Sequence, residues 1–211
     1  MINLENARAW YPEKDPVHGF DHIERVYRMA DRLARAEGAD LSIVHAAALL
    51  HDSQGSDPNS GERLSHHLAS ALFAETVLKE EGWNQTDIEA VQHCIRAHRF
   101  RGDNEGPQTI EAKVLFDADK LDVLGAIGVA RTIGYAVQAG QPIYSQPSPQ
   151  FKETGQKEKN EPHSSYHEFL FKLRKVKERL FTDTAKKIAE QRHAFLSAYY
   201  DQLIGEIQAE R

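Results

Sequence analysis

The spacing of apolar residues predicts that this chain is built from helices. Apolar side chains recur every three or four positions along most of the sequence, which is the period of an amphipathic α-helix. No stretch shows the alternation that is typical of a half-buried strand, and no segment is repeated. The sequence therefore predicts an all-α fold, with one domain over residues 1–211. The predicted helices lie at about 21–37, 43–52, 62–81, 86–98, 109–138, 166–181 and 184–207.

The predicted helix at about 43–52 is apolar on all sides, so we expect it at the centre of the core. It ends in His51 and Asp52. Burying an imidazole beside a carboxylate is unfavourable unless something binds them, and a divalent metal is a natural partner for both. The alternative interpretation is a histidine that is only hydrogen-bonded to a carboxylate at the end of the helix.

The helix at about 86–98 also directs one histidine inward. Its apolar stripe consists of Ile88, Val91 and Ile95, and the next position on that stripe is His98. His93 lies on roughly the opposite side of the helix. The periodicity therefore predicts that His98, and not His93, faces the core.

The predicted helix at about 109–138 carries several carboxylates near its middle. Residues three or four positions apart share a face of a helix. Asp119 and Asp122 share a face with Leu115 and Ala126, whereas Asp117 is predicted to point away from them. We therefore expect Asp119 to offer its carboxylate on the core side.

The region after about residue 138 differs in character from the predicted core at about 18–138. Its first part, at about 141–165, is polar and rich in proline and has no apolar period, so we expect a mobile loop. Two C-terminal helices are predicted at about 166–209. The loop joins a helix that carries Asp119 to a helix rich in cations, and it is either a lid over the site or a plain surface linker.

Composition narrows the class of protein. The net charge is −6, which argues against a protein that coats nucleic acid. The sequence has no apolar run near the ~20 residues of a membrane span and no signal-peptide pattern. A single cysteine, Cys94, excludes an internal disulfide and a thiolate metal cage. We therefore expect a cytoplasmic protein that does not bind membranes.

Histidine and aspartate motifs in a fixed order give the sequence its strongest similarity to a known family. They resemble the HD superfamily of metal-dependent phosphohydrolases over about residues 18–131, in particular the small stand-alone bacterial members. Each motif by itself is weak, but the spacing of the set is specific. The matching segments are 22–26 (HIERV), 48–52 (ALLHD), 66–71 (HHLASA), 95–98 (IRAH) and 117–122 (DADKLD).

The resemblance implies a helical HD-domain bundle and assigns roles to the residues of these motifs. It makes four side chains the primary metal ligands, namely His22, His51, Asp52 and Asp119. His66 and His98 match positions that bind a second metal in dinuclear members of the family, or phosphate in mononuclear ones. With Asp52, they form the predicted catalytic set.

The predicted cofactor is a divalent ion. Imidazole and carboxylate ligands without cysteine suit Mn, Fe, Co, Ni or Mg and do not discriminate among them. A phosphorylated substrate also needs cations, and those nearest the motifs or on the cationic C-terminal helices are the best candidates. The predicted substrate-binding residues are His18, Arg25, Lys120, Arg131 and Lys172, with Arg174 as an alternative to Lys172.

Some of these positions have more than one interpretation. Arg25 could only pair with a ligand carboxylate, and His18 could support the ligands instead of contacting substrate. His167 is either an ordinary residue or a substrate contact. The other histidines are interpreted as ordinary core or surface residues, namely His45, His67, His93, His163 and His193.

The sequence therefore predicts an HD-type metal-dependent phosphohydrolase. Its expected substrate is a small nucleotide-like phosphoester or phosphoanhydride, cleaved as a phosphatase or pyrophosphohydrolase through a metal-activated water. The alternatives are a phosphodiesterase and a non-catalytic metal- or nucleotide-binding regulatory protein. The His-His-Glu and Gly-Tyr-Pro elements of the family's cyclic-dinucleotide enzymes are missing, since Arg99 and Phe100 follow His98. The oligomeric state and the number of metals are left open.

Overall fold

The structure is a computed structural model that describes residues 2–11, 19–54, 66–99 and 105–211. These ranges contain α-helices and short 3-10 helices at Arg8–Trp10 and Leu173–Arg179, and they contain no strand. The predicted all-α fold is confirmed. The α-helices are α1 (Leu4–Ala7), α2 (Phe20–Glu37), α3 (Leu41–Leu50), α4 (His66–Glu80), α5 (Gln85–Ala97), α6 (Ile110–Leu121), α7 (Gly125–Gln138), α8 (Pro149–Thr154), α9 (Ser165–Phe171) and α10 (Asp183–Ile207).

The described chain groups into two compact units. The first unit comprises Met1–Asp119 together with Phe181–Ala185, and the second comprises Lys120–Leu180 together with Lys186–Arg211. The assignment of 1–211 to a single domain stays a prediction. None of the helices in the described ranges combines the length and the apolar character that a membrane crossing requires.

Helix α3 lies at the centre of the first unit, as its composition predicted. It packs against α2, α4 and α5, and its residues from Ala46 to Leu50 are buried. The carboxylate of Asp40 caps its first turn by accepting from the backbone N–H groups of Ser42 and Ile43. The helix ends at Leu50, so His51 and Asp52 lie just beyond its last turn.

The N-terminal segment of the first unit holds the end of α3 in place. The buried Tyr11 packs against Phe20, and its hydroxyl donates to the carbonyl oxygen of Leu49 at 2.8 Å. This carbonyl belongs to the last turn of α3, where the oxygens have no partner within the helix. Tyr11 therefore stabilises the turn that presents His51 and Asp52.

The helix predicted to start near residue 109 does not continue to about residue 138. The chain forms two helices there, α6 and α7. Gly125 has a left-handed backbone with φ of 70°, which favours glycine and interrupts the helical path. The guanidinium of Arg192 donates to the carbonyl oxygen of Leu121 at 2.6 Å, which satisfies the end of α6 within the second unit.

Asp117, which was predicted to lie off the face that carries Asp119 and Asp122, is nevertheless not exposed. Asp117 is completely buried, and its carboxylate accepts from the backbone N–H groups of Phe181 and Thr182 and from the Thr182 hydroxyl. Helix α6 is buried on several sides, since Val114, Phe116 and other residues off the predicted stripe are also buried. A position off the stripe is therefore not exposed.

The segment at about 141–165 contains more regular structure than its composition predicted. It forms α8, which Ser148 caps and which buries Phe151. The carboxylate of Glu161 accepts from the backbone N–H and hydroxyl of Ser148, each at 2.7 Å. The helix predicted at about 166–181 is α9, followed by a 3-10 helix over Leu173–Arg179. A function of this segment as a lid stays a prediction.

Candidate metal centre

Six side chains with metal-ligand chemistry converge in the first unit. The four histidines are buried, and the side chains of Asp52 and Asp119 retain 19% and 17% of their exposure. They fall into two groups of three, within each of which the ligand atoms lie within 4.8 Å of one another. The first group is His22, His51 and Asp119, and the second is Asp52, His66 and His98.

Each side chain reaches the site from a different part of the bundle, except for one adjacent pair. His22 lies in the first turn of α2, and Asp119 lies near the C-terminal end of α6. His51 and Asp52 follow α3. His66 is the first residue of α4, and His98 is the C-cap of α5. The helix ends and turns of the first unit therefore place these side chains at a common centre.

The distances among the first group and the Oδ2 atom of Asp52 suit ligands of one ion. The Nε2 atom of His22 lies 3.6 Å from Asp119 Oδ1 and 3.9 Å from Asp52 Oδ2, and the Nε2 atom of His51 lies 3.7 Å from Asp52 Oδ2. These separations are too long for hydrogen bonds. Two ligands at about 2.1 Å from an ion are about 3 to 4.2 Å apart, depending on the angle between them.

Asp52 belongs to the second group, and its other oxygen faces two histidines of the first group. While Oδ2 faces His22 and His51, Oδ1 lies 3.0 Å from Nε2 of His66 and 3.4 Å from Nε2 of His98. The carboxylate therefore lies between the imidazoles of the two groups. This position makes Asp52 the central residue of the site.

Backbone hydrogen bonds fix the orientation of two of the imidazoles. The Nδ1 atoms of His51 and His98 each lie close to a carbonyl oxygen three residues earlier, at 2.9 Å from Ala48 O and 2.6 Å from Ile95 O. A carbonyl oxygen only accepts, so both Nδ1 atoms carry the hydrogen. In the neutral ring, Nε2 then presents a lone pair, which is the usual arrangement of a metal-binding histidine.

The site fits a cation because a buried acceptor atom lacks a hydrogen-bond partner. Among the described residues, nothing donates to the Nε2 atom of His51. Leaving such an atom buried and unsatisfied costs about 1–3 kcal/mol. A divalent ion bound by this atom would remove the penalty, and the neighbouring carboxylates are suitable further ligands for it.

The pKa shifts of His51 and Asp52 both favour the protonation states that bind a metal. Burial lowers the pKa of His51 to about 4, although the negative charge of Asp52 opposes this shift. Burial by itself would raise the pKa of Asp52, but His51, His66 and His98 hold this pKa well below its usual range. At neutral pH, the pair therefore consists of a neutral imidazole and a carboxylate, the forms that bind metals.

The inward direction predicted for His98 is confirmed, since His98 is 3% exposed and lies beside Asp52. His93 instead lies against Glu105, with 2.5 Å between Nδ1 and Oε1, and its Nε2 accepts from the backbone N–H of Gln108. The apolar stripe of α5 was thus sufficient to distinguish the two histidines.

Three of the five predicted substrate-binding residues lie beside carboxylates in the structure. Arg25 pairs with Asp21 at 2.5 Å on α2. His18 lies outside the described residues. The other three, Lys120, Arg131 and Lys172, belong to the second unit. There, Arg131 pairs with Asp122 at 2.6 Å and Lys172 pairs with Glu168 at 2.5 Å. Their contacts with substrate stay predictions.

Most remaining histidines have local partners. His45 pairs with Asp31, His163 with Glu168, and His193 with Ser197. His167 is completely buried between Ser164 and Glu161, which favours a structural role over contact with substrate. His67 is buried beside His66 but joins neither candidate group.

Sequence reasoning missed Arg99 as a member of the site. Its Nη1 atom lies 2.7 Å from Nδ1 of His66. The position directly after His98 was the only signal in the sequence, because a residue that follows a site histidine at the end of a helix remains near the site. The helical period does not predict which way such a residue turns.

Comparisons with known proteins identify relatives of the whole chain. The sequence model of the family described as HD domain matches residues 19–124. The uncharacterized protein YpgQ of Bacillus subtilis (strain 168) is 31% identical over 210 residues, covering 96% of this chain and 93% of that protein.

Solved structures give the same result. The crystal structure of Bacillus subtilis YpgQ in complex with ADP has a TM-score of 0.74 at 31% identity, with 96% of this chain and 94% of that chain covered. An HD-superfamily hydrolase from Bacillus thuringiensis has a TM-score of 0.70 at 30% identity, with coverages of 98% and 97%.

Proposed function

Because the chain belongs to the HD domain family, we propose that it is a metal-dependent phosphohydrolase that acts on a nucleotide-like phosphoester or phosphoanhydride. The observation that carries this proposal is the buried, unpartnered Nε2 atom of His51 within a cluster of histidines and aspartates. A core without a ligand gains nothing from leaving such an atom unsatisfied.

The proposed ligands of the metal are His22, His51, Asp52 and Asp119, through the atoms that face one another in the first group and the Oδ2 atom of Asp52. When bound, a divalent metal supplies positive charge to phosphate oxygens and lowers the pKa of a water molecule. The partial exposure of the two aspartates leaves this side of the cluster open to a substrate.

His66 and His98 are proposed to act on the substrate beside the metal. Both rings lie against the Oδ1 side of Asp52, at 3.0 and 3.4 Å, and their centroids are 5.5 Å apart. An imidazole that carries its hydrogen on Nε2 can donate it to a phosphate oxygen, whereas one with a lone pair on Nε2 can bind a metal ion that in turn binds the oxygen. Asp52, which lies between these two rings and the other proposed ligands, is also proposed to orient the attacking water.

The nucleotide-like substrate is supported by one relative. YpgQ of Bacillus subtilis, whose structure resembles this one over nearly the whole chain, was crystallised in complex with ADP. A diphosphate ester of a nucleoside is consistent with a site of metal ligands and imidazoles. The proposal therefore covers nucleotides, with cleavage at either an ester or an anhydride bond.

A nucleotide panel tests the function directly. The purified protein is assayed with nucleoside mono-, di- and triphosphates in Mn²⁺, Co²⁺ or Mg²⁺, with phosphate and pyrophosphate measured separately. We expect turnover that Asp52→Ala lowers by at least about 100-fold, because a central ligand is lost. Asp201→Ala, an exposed aspartate on α10, is the matched control and should leave turnover unchanged.

Two outcomes would contradict the proposed function. A protein that binds the metal but cleaves none of these substrates would be a binding or regulatory protein. Hydrolysis of cyclic nucleotides or dinucleotides alone would make it a phosphodiesterase.

A further inference from the structure

Arg99 contacts His66, one of the histidines of the candidate site. Its guanidinium Nη1 lies 2.7 Å from Nδ1 of His66, which is a short hydrogen-bond distance. A guanidinium has only N–H donors and no acceptor. In this contact, Nδ1 of His66 must therefore be the acceptor.

The acceptor role of Nδ1 fixes the position of the ring hydrogen. An imidazole with an unprotonated Nδ1 carries its hydrogen on Nε2. In His66, this Nε2 is the atom that lies 3.0 Å from Asp52 Oδ1. His66 therefore presents an N–H donor to the site.

The neighbouring histidines have the opposite arrangement. In His51 and His98, the hydrogen lies on Nδ1 and is donated to a backbone carbonyl oxygen, so that Nε2 presents a lone pair. The three imidazoles around the Asp52 carboxylate therefore differ in which ring nitrogen carries the hydrogen, and the residue type alone does not show this difference. Two can bind a metal through Nε2, whereas His66 can only donate a hydrogen bond there.

We propose that Arg99 is a positioning residue that holds His66 as an Nε2–H donor and thereby excludes it from the metal ligands. This inference rests on the proposed function, because it concerns the same site. The group Asp52, His66 and His98 resembles a second metal site by residue type. With His66 as a donor, this group retains two ligands, so the site binds one metal tightly, and His66 is left to donate to a substrate oxygen or to Asp52.

Nitrogen NMR of the histidine rings tests the inference without an activity assay. The ¹⁵N-labelled protein is loaded with Zn²⁺, which is diamagnetic, and long-range ¹H–¹⁵N correlations show which ring nitrogen carries hydrogen. The spectrum of His66→Gln identifies the His66 signals. We expect a protonated Nε2 and an unprotonated Nδ1 for His66. A protonated Nδ1 with Nε2 bound to the metal would overturn the proposal.

Variants test whether Arg99 is the cause. Arg99→Met removes every donor to Nδ1 at this position, so we expect the Nε2–H signal of His66 to be lost. Arg99→Lys keeps a donor and should retain the signal. Arg96→Gln removes an arginine of α5 that pairs with Glu105, and should leave His66 unchanged. A folded Arg99→Met protein with the wild-type His66 signal would contradict the role of Arg99. If Arg99→Met does not fold, the wild-type spectrum and Arg99→Lys decide the question.

The number of bound metals gives an independent measurement. After titration with Mn²⁺ and gel filtration, the wild-type protein is expected to retain one ion per chain, and two tightly bound ions would contradict the inference. The proposed function fails separately: a wild-type protein that binds no divalent ion contradicts that function, whereas a bound ion with His66 among its ligands contradicts only the role of Arg99.

Discussion

His51 and His167 are both completely buried, but their surroundings differ in one decisive respect. In the second unit, His167 Nδ1 lies 2.7 Å from the Ser164 hydroxyl and Nε2 lies 3.0 Å from Glu161 Oε1, so both ring nitrogens have partners. In the first unit, Nε2 of His51 has no partner among the described residues and faces Asp52.

The difference shows that burial of a histidine is a weak indicator of function. A buried imidazole with both nitrogens bonded stabilises the fold, since its polar atoms are satisfied. A buried imidazole with a lone pair directed at a carboxylate is unfavourable until a cation binds. An unpartnered nitrogen is not sufficient either: His67 and His193 each have a buried Nδ1 without a partner, but neither joins a candidate metal group in the described residues.

The largest expected effect is a difference between His51 and His167 variants in how much bound metal stabilises the fold. Saturating Mn²⁺ at a hundred times its Kd should stabilise the wild-type protein by about 2.7 kcal/mol, because the ion binds only the folded state. His51→Ala should abolish this stabilisation. His167→Ala should lower the free energy of unfolding by about 1–3 kcal/mol but retain the full metal response. Chemical unfolding with and without Mn²⁺ measures both. Equal responses to metal in the two variants would contradict the comparison.

A smaller effect is expected for His98 and His93, on the same helix. His98 faces Asp52, whereas His93 is already bonded to Glu105 and Gln108. His98→Ala should lower kcat by about 10- to 100-fold, and His93→Ala should leave it nearly unchanged. Steady-state kinetics with a nucleotide substrate identified by the panel makes the measurement. Similar kcat values for the two variants would show that the side of α5 on which a histidine lies does not mark the site.

The smallest effect concerns how protein stability depends on pH through the hydrogen bonds that Glu161 accepts from Ser148 and His167. Burial opposes the ionisation of Glu161, but hydrogen bonds from Ser148, His167 and the backbone of Glu158 lower its pKa to about 2. A carboxylate with a depressed pKa stabilises the fold above its unfolded value, near 4.5, and this contribution is lost as pH falls towards 2. Glu161→Gln should therefore flatten the loss of stability between about pH 4.5 and 2. Thermal unfolding of both proteins across this pH range makes the measurement. If stability depends on pH in the same way in Glu161→Gln and in the wild-type protein, Glu161 does not contribute as proposed.

Much of the fold followed from the period of apolar residues. The helical class, the central position of α3 and the inward direction of His98 all depend on which side of a helix is apolar, and the sequence displays this directly. The break at Gly125 was not predicted, because the apolar pattern continues across it and only the backbone conformation of the glycine interrupts the helix.

The contacts that were missed involve residues distant in sequence. Asp117 lies off the predicted stripe of its helix, and its partners are backbone N–H groups 64 and 65 residues later, which no local pattern indicates. The partnership of Arg99 with His66 likewise spans 33 residues. The order of histidines and aspartates did indicate which residues would come together, although the roles of the ligands and of the substrate contacts stay predictions.

The burial of Asp117 has a consequence for how the protein is made. The first unit is not continuous in sequence, since it includes Phe181–Ala185, which leave the ribosome long after Met1–Asp119. Until then, the carboxylate of Asp117 lacks the N–H groups of Phe181 and Thr182 that receive it in the finished fold. Asp119 lies two residues away on the same helix, so the segment that carries this candidate ligand gains its last contacts late. We therefore expect the candidate metal centre to reach its final arrangement only after residues 181–185 have been translated.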